Sequence, residues 1–380
     1  MAEPLKHFFS PALVRRIGRS IAEVEPSFPE RAFVRDASRD LQSLELLARA
    51  ARIADALAAH LPPDYPRAIA ILLRSLGPPH ATDELVGAGM EPFFYLPHTM
   101  FVAERGLDHF DLSLDAQVEL TKRFTAEGSI RAYLLRDPER TLAAMRRWAR
   151  DDDPHVRRLV SEGTRLRLPW ARRVPWLDAH PERVVALLEL LKDDPASVVR
   201  RSVANSLNDL SKVHPALANA TCAAWLRGAS DERRALVEHA LRSAVKRGDP
   251  TALATLGFGG APKIAIGAVR FEPARVTIGG RARVSFAIAS AARATQSLLV
   301  DLAVHFVKAR GTSRKVFKIR RVELPPRGRV IVESTVSLAV HTTRKPRPGR
   351  HVVEALVNGV AHPLGAFDVV AAPAERKARR

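Results

Sequence analysis

Cysteine is almost absent from this sequence, since Cys222 is the one such residue in 380. A single thiol cannot form an intramolecular disulfide or a cysteine-based metal site. Cys222 lies in an alanine-rich helical stretch, so we predict that it is a small buried apolar residue. Disulfide-stapled domains and cysteine-ligated zinc proteins are therefore excluded as classes.

Long apolar runs and familiar catalytic motifs are also missing. No stretch approaches the roughly 18 apolar residues of a membrane span, and no apolar leader opens the chain. We therefore expect a cytoplasmic protein that contacts no membrane. A glycine-rich phosphate loop, a His-Glu-x-x-His zinc motif and a Gly-x-Ser-x-Gly elbow are not found. The 13 histidines are scattered along the chain, so we expect no metal and no cofactor.

Positive charge, by contrast, is abundant. Sixty Lys and Arg residues oppose 41 Asp and Glu residues, which gives a formal net charge of +19. This excess predicts a polyanionic partner, either nucleic acid or an anionic membrane surface. Arginine carries the excess, and its guanidinium binds phosphate through two parallel hydrogen bonds. A genome rich in G and C would also raise the arginine content, and this is the alternative explanation.

The pattern of apolar residues changes near residue 260. Before it, apolar residues recur with a helical period; after it, Val, Ile and Thr alternate along short runs. About seven such runs, separated by Gly- and Pro-rich turns, predict an immunoglobulin-like β-sandwich. We predict a HEAT-like-repeat domain over residues 1–260, the sandwich over 261–371, and a short, basic, disordered tail over 372–380.

The helical part repeats itself at an interval of 41 to 43 residues. Asp137-Pro138 recurs as His180-Pro181, and Asp153-Pro154 recurs as Asp194-Pro195. Asp caps the free N–H groups of a helix and Pro fits its first position, so each Asp-Pro pair predicts a helix start. A period of about 40 to 47 residues with two helices per unit is typical of HEAT-like repeats. Such repeats stack into an α-solenoid with a concave surface.

The helix predicted over residues 197–212 has two contrasting faces. One is a stripe of apolar residues that we expect to be buried: Val199, Val203, Leu207 and Leu210. The other carries two cations, two amides and one carboxylate: Arg201, Asn205, Asn208, Lys212 and Asp209. An ordinary solvated surface explains this second face, but it also suits phosphate contacts around a reactive acid.

Three carboxylates stand out by their context. Glu127 and Glu162 each precede a glycine and a hydroxyl residue, in AEGS and SEGT, and we expect both to end a helix. Asp209 lies one repeat further on. Because equivalent positions of stacked repeats come close in space, we predict that the three acids share one surface. The alternative is that each is a helix-end acid without a chemical role.

Aromatic and cationic residues are combined in the segment over residues 165–176, which joins two repeats. Aromatic faces beside arginine suit stacking on a sugar or base next to a phosphate. We consider this role for Trp170, with a plug of the repeat junction as the alternative. Trp148, Trp176 and Trp225 are expected in the core.

Three sequence runs resemble the AlkC branch of the AlkC/AlkD DNA alkylation-repair glycosylases. They are EPLKHFF over 3–9, SEGTRLRLPW over 161–170 and SVANSLNDLSKVHP over 202–215. The resemblance spans the helical domain, and some AlkC proteins also carry a C-terminal immunoglobulin-like domain. It implies a monofunctional N-glycosylase that acts on 3-methyladenine and 3-methylcytosine in double-stranded DNA. Members of this family work without a base-binding pocket, and the sequence shows no obvious one.

The resemblance also implies roles for individual residues. Glu162, Trp170 and Asp209 would be catalytic, with Glu127 as a fourth from a shorter motif. Carboxylates would stabilise a positively charged sugar and position water. The DNA contacts are expected from the charge pattern and not from the resemblance. They are Arg201, Asn205, Asn208 and Lys212 of the 197–212 helix, and Arg158, Arg165, Arg314, Lys315 and Lys318.

Several expectations concern the whole protein. The sandwich would clamp the duplex through the basic residues around a predicted hairpin tip, from Lys308 to Arg321. A stabilising or partner-binding role for the sandwich is the alternative. We expect a monomer associated with the nucleoid. The rival interpretations are a HEAT-like scaffold that binds nucleic acid without catalysis, and a protein–protein adaptor.

Overall fold

The computed structural model describes residues 4–80, 89–341 and 345–371. The chain divides into two compact units, Met1–Ala240 and Leu241–Arg380. The first unit is helical, and the second contains the last helical residues and all the described strands. The predicted basic tail over residues 372–380 lies outside the described residues.

Within the described ranges, fifteen α-helices precede the strands. They are α1 (Pro11–Val24), α2 (Glu30–Ser38), α3 (Leu46–His60), α4 (Tyr65–Arg74), α5 (Leu96–Arg105), α6 (Phe110–Thr121), α7 (Ile130–Arg136), α8 (Pro138–Trp148), α9 (Pro154–Gly163), α10 (Pro175–Ala179), α11 (Pro181–Leu191), α12 (Ser197–Val213), α13 (Pro215–Leu226), α14 (Asp231–Arg247) and α15 (Pro250–Thr255). In the part of the chain that the structure describes, no helix is both long enough and apolar enough to cross a membrane.

Two of the three Asp-Pro pairs named above, at 137–138, 153–154 and 194–195, begin helices as predicted. α8 and α9 start directly after Asp137 and Asp153, whose carboxylates accept backbone N–H groups of the first turn at 3.0 and 2.7 Å. The third prediction is wrong by two residues, since α12 begins at Ser197. Here the Asp194 carboxylate accepts the Ala196 backbone N–H at 2.9 Å and also a hydrogen bond from Arg157 Nε of α9 at 2.6 Å. This acid therefore joins two repeats.

The predicted helical repeat is confirmed by the packing of α8 and α9 with α11 and α12. The second pair of helices begins 43 residues after the first. α9 packs against both α11 and α12, and the Ser161 and Ser202 hydroxyls meet at 2.5 Å. The apolar stripe of α12 is fully buried, as predicted: Val199, Val203, Leu207 and Leu210. This packing places the polar ends of α9 and α12 side by side.

The second unit contains an immunoglobulin-like sandwich of two sheets. Its strands are β1 (Ile264–Glu272), β2 (Arg275–Thr277), β3 (Arg281–Ser290), β4 (Gln296–Val307), β5 (Thr312–Leu324), β6 (Arg329–Ser337), β7 (Gly349–Val357) and β8 (Val360–Val370). One sheet has the order β1-β3-β6 and the other β2-β8-β7-β4-β5. All pairings are antiparallel except that of β2 with β8. The sandwich contains eight described strands, one more than expected.

The core of the sandwich lies between the two sheets. Alternating residues of β3 and β4, such as Phe286 and Leu302, are fully buried and belong to one hydrophobic cluster. β4 and β5 form the predicted hairpin, in which Val307 pairs with Thr312. β5 is an edge strand of its sheet, and its basic side chains are exposed: Arg314, Lys315, Lys318, Arg320 and Arg321.

Residues 248–258, which include α15, pack closely against the sandwich within the second unit. Gly248 and Gly359 have positive φ angles of 78° and 79°. A Cβ atom added to Gly359 would lie 2.8 Å from the Gly248 Cα atom, so both the conformation and the contact require glycine. The Arg321 guanidinium lies over the Phe258 ring, 5.3 Å from its centre. Residues 248–258 therefore belong with the sandwich by their contacts.

Candidate active site

Glu162 and Asp209 are joined by one guanidinium. Glu162 is the next-to-last residue of α9, and Asp209 lies within α12. Arg165 donates from Nη1 to Glu162 Oε2 at 3.0 Å and from Nε to Asp209 Oδ2 at 2.9 Å. The two carboxylate side chains are only 5% and 2% exposed. Arg165 therefore holds two buried acids from neighbouring repeats in one place.

This pairing extends in both directions along the surface. Arg158 Nη2 lies 3.0 Å from Glu127 Oε2 and 3.7 Å from Glu162 Oε1. At the other end, Lys212 Nζ lies 3.0 Å from Asp209 Oδ1. Acids and bases alternate through six residues, which we call the charge ladder: Glu127, Arg158, Glu162, Arg165, Asp209 and Lys212. Its three positive and three negative charges offset the cost of burying them.

Arg165 keeps its charge despite its burial. Burial by itself would lower the pKa of Arg165, but the Glu162 and Asp209 carboxylates outweigh it and raise that pKa above its ordinary value. An arginine already titrates far above neutral pH. The cation that separates the two acids is therefore permanent.

The local structure around the acids differs from the sequence-based prediction. Glu162 lies at the end of α9 as expected, but Glu127 lies in the turn between α6 and α7 and does not end a helix. The Glu127 carboxylate accepts a hydrogen bond from the Thr125 hydroxyl at 2.8 Å. Asp209 is inside α12. The three acids therefore do not occupy equivalent corners, and Arg158 and Arg165 connect them.

Trp170 projects from the loop between α9 and α10. Its side chain is 72% exposed, which excludes the interpretation of a buried plug. Its φ angle is 58°, a left-handed conformation that costs a residue with a side chain about 1–3 kcal/mol. Trp148 and Trp225 are buried as predicted. Trp176 is half-buried instead, with its ring 4.3 Å from that of His180.

Arg131 holds the Trp170 loop from inside the protein. This α7 residue is 1% exposed, and its guanidinium donates to the carbonyls of Gly163 at 2.8 Å and Arg165 at 3.0 Å. It also donates to the Arg172 carbonyl, so it ties both ends of the loop to α7. Burial lowers the pKa of Arg131 to about 10. Arg131 was not among the predicted site residues, because one arginine in a short amphipathic helix looks like an ordinary surface cation.

A cavity of about 460 Å³ opens beside Glu127 and Trp170. This volume lies within the range of about 300–1,000 Å³ that is usual for ligand pockets. Its walls are largely apolar and include Leu47, Phe93, Leu96, Met100, Phe124 and Leu168. They come from α3, α5 and three connecting segments: the one before α5, the one between α6 and α7, and the one between α9 and α10. The sequence showed no obvious pocket, because the residues that line this cavity are far apart along the chain.

Comparison with known proteins identifies the family of the chain. Residues 124–247 match the family model described as "DNA alkylation repair enzyme". Residues 265–371 match the C-terminal Ig-like domain of the uncharacterised protein YhaZ. The uncharacterized protein YhaZ of Bacillus subtilis (strain 168) is 33% identical over 358 residues, which are 93% of this chain and 96% of that protein.

A solved structure supports the same conclusion. It is the Pseudomonas fluorescens alkylpurine DNA glycosylase AlkC bound to DNA containing an abasic site analog. The two proteins are 35% identical with a TM-score of 0.87, over 97% of this chain and all of that one. The chain belongs to the AlkC-type family of DNA alkylation repair enzymes. The predicted family, with its C-terminal immunoglobulin-like domain, is confirmed.

The α12 residues predicted to contact DNA in this AlkC-type protein differ in their exposure to solvent. Arg201 and Lys212 are exposed, and Asn205 is half-buried. Asn208 is 1% exposed and its Nδ2 donates to the Ala240 carbonyl of α14 at 2.7 Å. Asn208 was predicted to contact DNA, but its buried side chain has a structural role instead. Within the described ranges, no group of three or more His, Cys, Asp or Glu side chains is arranged to hold a metal ion.

Proposed function

We propose that the chain is a monofunctional DNA N-glycosylase that removes cationic N3-alkylated bases, 3-methyladenine and 3-methylcytosine, from double-stranded DNA. One observation carries the proposal: Arg165 holds two buried carboxylates, Glu162 and Asp209, together. Membership of the AlkC-type family supports the reaction class. The solved relative is an alkylpurine DNA glycosylase.

The chemistry follows from the charge of the substrate. An N3-alkylated base is already positive, so it leaves with the electron pair of the glycosidic bond and becomes neutral without being protonated. The positive charge passes to the deoxyribose, which becomes oxocarbenium-like. Carboxylates beside that sugar stabilise it electrostatically. Water then adds to C1′ and gives its proton to a carboxylate. No lysine nucleophile takes part, so we expect no lyase activity.

The three cations of the charge ladder have two different roles in this proposal. Arg158 and Arg165 are only 15% exposed and each contacts two carboxylates, so we assign them to positioning the acids. Lys212 is 42% exposed and contacts Asp209 alone. A DNA phosphate that attracts Lys212 would free one Asp209 oxygen. DNA binding would thereby make the ladder more negative at the moment when the sugar becomes positive.

Two further features fit a DNA substrate. The exposed ring of Trp170 is suited to stacking on the sugar or base, because its loop is fixed by Arg131. Arg314, Lys315 and Lys318 are exposed on the edge strand β5 and would bind phosphates. We propose that the protein acts as a monomer on double-stranded DNA.

Base release from methylated duplex DNA tests this function. The wild type should release 3-methylbases, and Glu162→Gln and Asp209→Asn should each slow release by about 100-fold or more, as loss of a transition-state stabilising group does. Asp194→Asn is the matched control. It removes a buried carboxylate that also pairs with an arginine but lies outside the charge ladder. Its activity per folded molecule should stay near that of the wild type.

Each component of the proposal can fail separately. A wild type that binds DNA with a steep salt dependence but releases no base would support the non-enzymatic scaffold instead. If base is released but Glu162→Gln and Asp209→Asn match the Asp194→Asn control, the carboxylates do not have the catalytic role assigned to them.

A further inference from the structure

Arg131 connects two parts of the candidate active site through one buried guanidinium. Its Nη1 atom donates to the carbonyl groups of Gly163 at 2.8 Å and Arg165 at 3.0 Å, and its Nε atom donates to that of Arg172. Gly163 ends α9, directly after one acid of the charge ladder, and Arg172 lies two residues after Trp170. The same side chain therefore fixes the backbone beside a buried acid and the backbone beside the exposed indole.

The backbone at Trp170 depends on such support. Its φ angle of 58° is left-handed, a conformation that costs free energy for a residue with a side chain and persists only where the surroundings hold it. The ring itself contributes little, because it is 72% exposed. Within the loop, Arg173 Nη1 donates to the Leu166 carbonyl at 2.6 Å and closes the base of the loop. Arg131 adds a connection between the loop and a separate helix, α7.

The three contacts of Arg131 require the shape of a guanidinium. They start from two nitrogen atoms, Nε and Nη1, that lie apart on one planar group. A lysine has one charged nitrogen at the end of its chain, so its donors all start from a single point. In Arg131→Lys we expect the ammonium group to reach the Gly163 and Arg165 carbonyls and to lose the Arg172 carbonyl. The end of α9 would stay held, and the backbone beside Trp170 would be released.

The burial of Arg131 separates its role from that of the surface cations. Its side chain is 1% exposed, so it cannot contact a DNA phosphate. We propose that Arg131 is a positioning residue, which holds Trp170 in the place from which its ring stacks on the substrate. This inference deepens the proposed function and rests on it, because the position of Trp170 affects base release only if the protein is a glycosylase.

Fluorine NMR of the protein without DNA tests whether Arg131 holds Trp170. The full chain labelled with 5-fluorotryptophan contains four labelled rings, and Trp170→Ala identifies the resonance of Trp170. In Arg131→Lys we expect this resonance to shift and become narrower, because the loop gains motion. The resonances of the buried Trp148 and Trp225 should stay unchanged and thereby show that the protein is folded.

Arg49→Lys is the matched control for this spectrum. Arg49 of α3 is 4% exposed, and its guanidinium also donates to backbone carbonyl groups: those of Lys6, Phe9, Gln42 and Leu44. None of these carbonyls belongs to the Trp170 loop, so the Tm should fall but the Trp170 resonance should match the wild type. If lysine at position 131 prevents folding, Arg131→Gln is the second variant. Its shorter side chain also donates from one nitrogen, and the same change in the Trp170 resonance is expected.

Base release under single-turnover conditions tests the consequence for the reaction. Arg131→Lys should slow release by about fivefold to tenfold, because a displaced stacking ring loses part of its effect. DNA affinity should change by less than about twofold, since no phosphate contact is lost. In a Trp170→Ala background, Arg131→Lys should slow release by less than about twofold, because the ring that it positions is already absent.

Three results would overturn the inference. They are an unchanged Trp170 resonance in Arg131→Lys, an equal change of that resonance in Arg49→Lys, and an equal slowing by Arg131→Lys with and without Trp170→Ala. A wild type that releases no base would instead overturn the proposed function. The fluorine spectra require neither DNA nor catalysis, so they would still decide whether Arg131 holds Trp170.

Discussion

Replacing Arg165 by methionine is expected to destabilise the helical unit strongly. Methionine keeps much of the aliphatic stem but leaves the buried Glu162 and Asp209 without their shared cation. Removing one partner of a buried ion pair costs about 3–5 kcal/mol, because the remaining charge is left uncompensated. Arg158 and Lys212 still contact one of the two acids each. We therefore expect a loss near the lower end, about 3 kcal/mol.

Thermal unfolding followed by circular dichroism measures this loss. In a unit of this size, each kcal/mol lowers the Tm by about 2–4 °C, so the expected shift is roughly 6–12 °C. Arg140→Met is the matched control. It removes an arginine whose ion pair with Asp111 is 48% and 76% exposed, and such surface pairs contribute less than about 1 kcal/mol.

A compensating variant separates charge from packing. If orphaned charge is the cause, adding Glu162→Gln and Asp209→Asn to Arg165→Met should restore much of the lost stability. If Arg165→Met is no more destabilising than Arg140→Met, the shared cation does not stabilise the two acids as expected. If the triple variant is less stable than Arg165→Met alone, uncompensated charge is not the cause of the loss.

His98, Trp170 and the basic side chains of β5 each give a further prediction. Burial lowers the pKa of His98 from 6.5 to about 4, so the unfolded chain binds this proton more readily, and about 3 kcal/mol of stability is lost as pH falls through that interval. His98→Leu should remove this part of the pH dependence in urea unfolding; an unchanged profile would contradict it. Trp170→Ala should slow base release by about 10- to 100-fold while leaving the Tm nearly unchanged, because its exposed ring can stack on the substrate but packs little. Equal activity would exclude a stacking role. Joint replacement of Arg314, Lys315 and Lys318 by alanine should reduce the salt dependence of DNA binding, measured by fluorescence anisotropy, by a slope of about 2–3. An unchanged slope would show that β5 does not contact phosphates.

Elements whose signals are local were predictable from the sequence. The capped starts of α8 and α9 depend on an Asp and a Pro in adjacent positions, and both helices begin where expected. The buried stripe of α12 depends on one helical period. The β4–β5 hairpin depends on alternation and a turn. Each of these features depends on residues that are neighbours along the chain, so the sequence pattern was sufficient.

Features that depend on contacts between distant positions were not predictable in the same way. Glu162 and Asp209 were chosen as candidate catalytic residues by their motifs. The Arg165 guanidinium that joins them was expected to bind DNA, and its contacts with both acids were not foreseen. Arg131 binds carbonyl groups more than 30 residues away along the chain, and a local pattern does not show such partners. Asn208 was misassigned because periodicity separates apolar from polar positions on α12 but does not reveal that α14 covers part of the polar face.

The close contact between Gly248 and Gly359 limits where recombination could transfer the second unit between proteins. A recombination event that joined or removed the sandwich at residue 260 would separate it from residues 248–258 and leave the hairpin of β7 and β8 without the surface against which its glycine packs. An exchange near residue 240, within α14, would carry the whole unit intact. Relatives that gained or lost this module should therefore show the change in their sequences inside α14, ahead of the apparent linker.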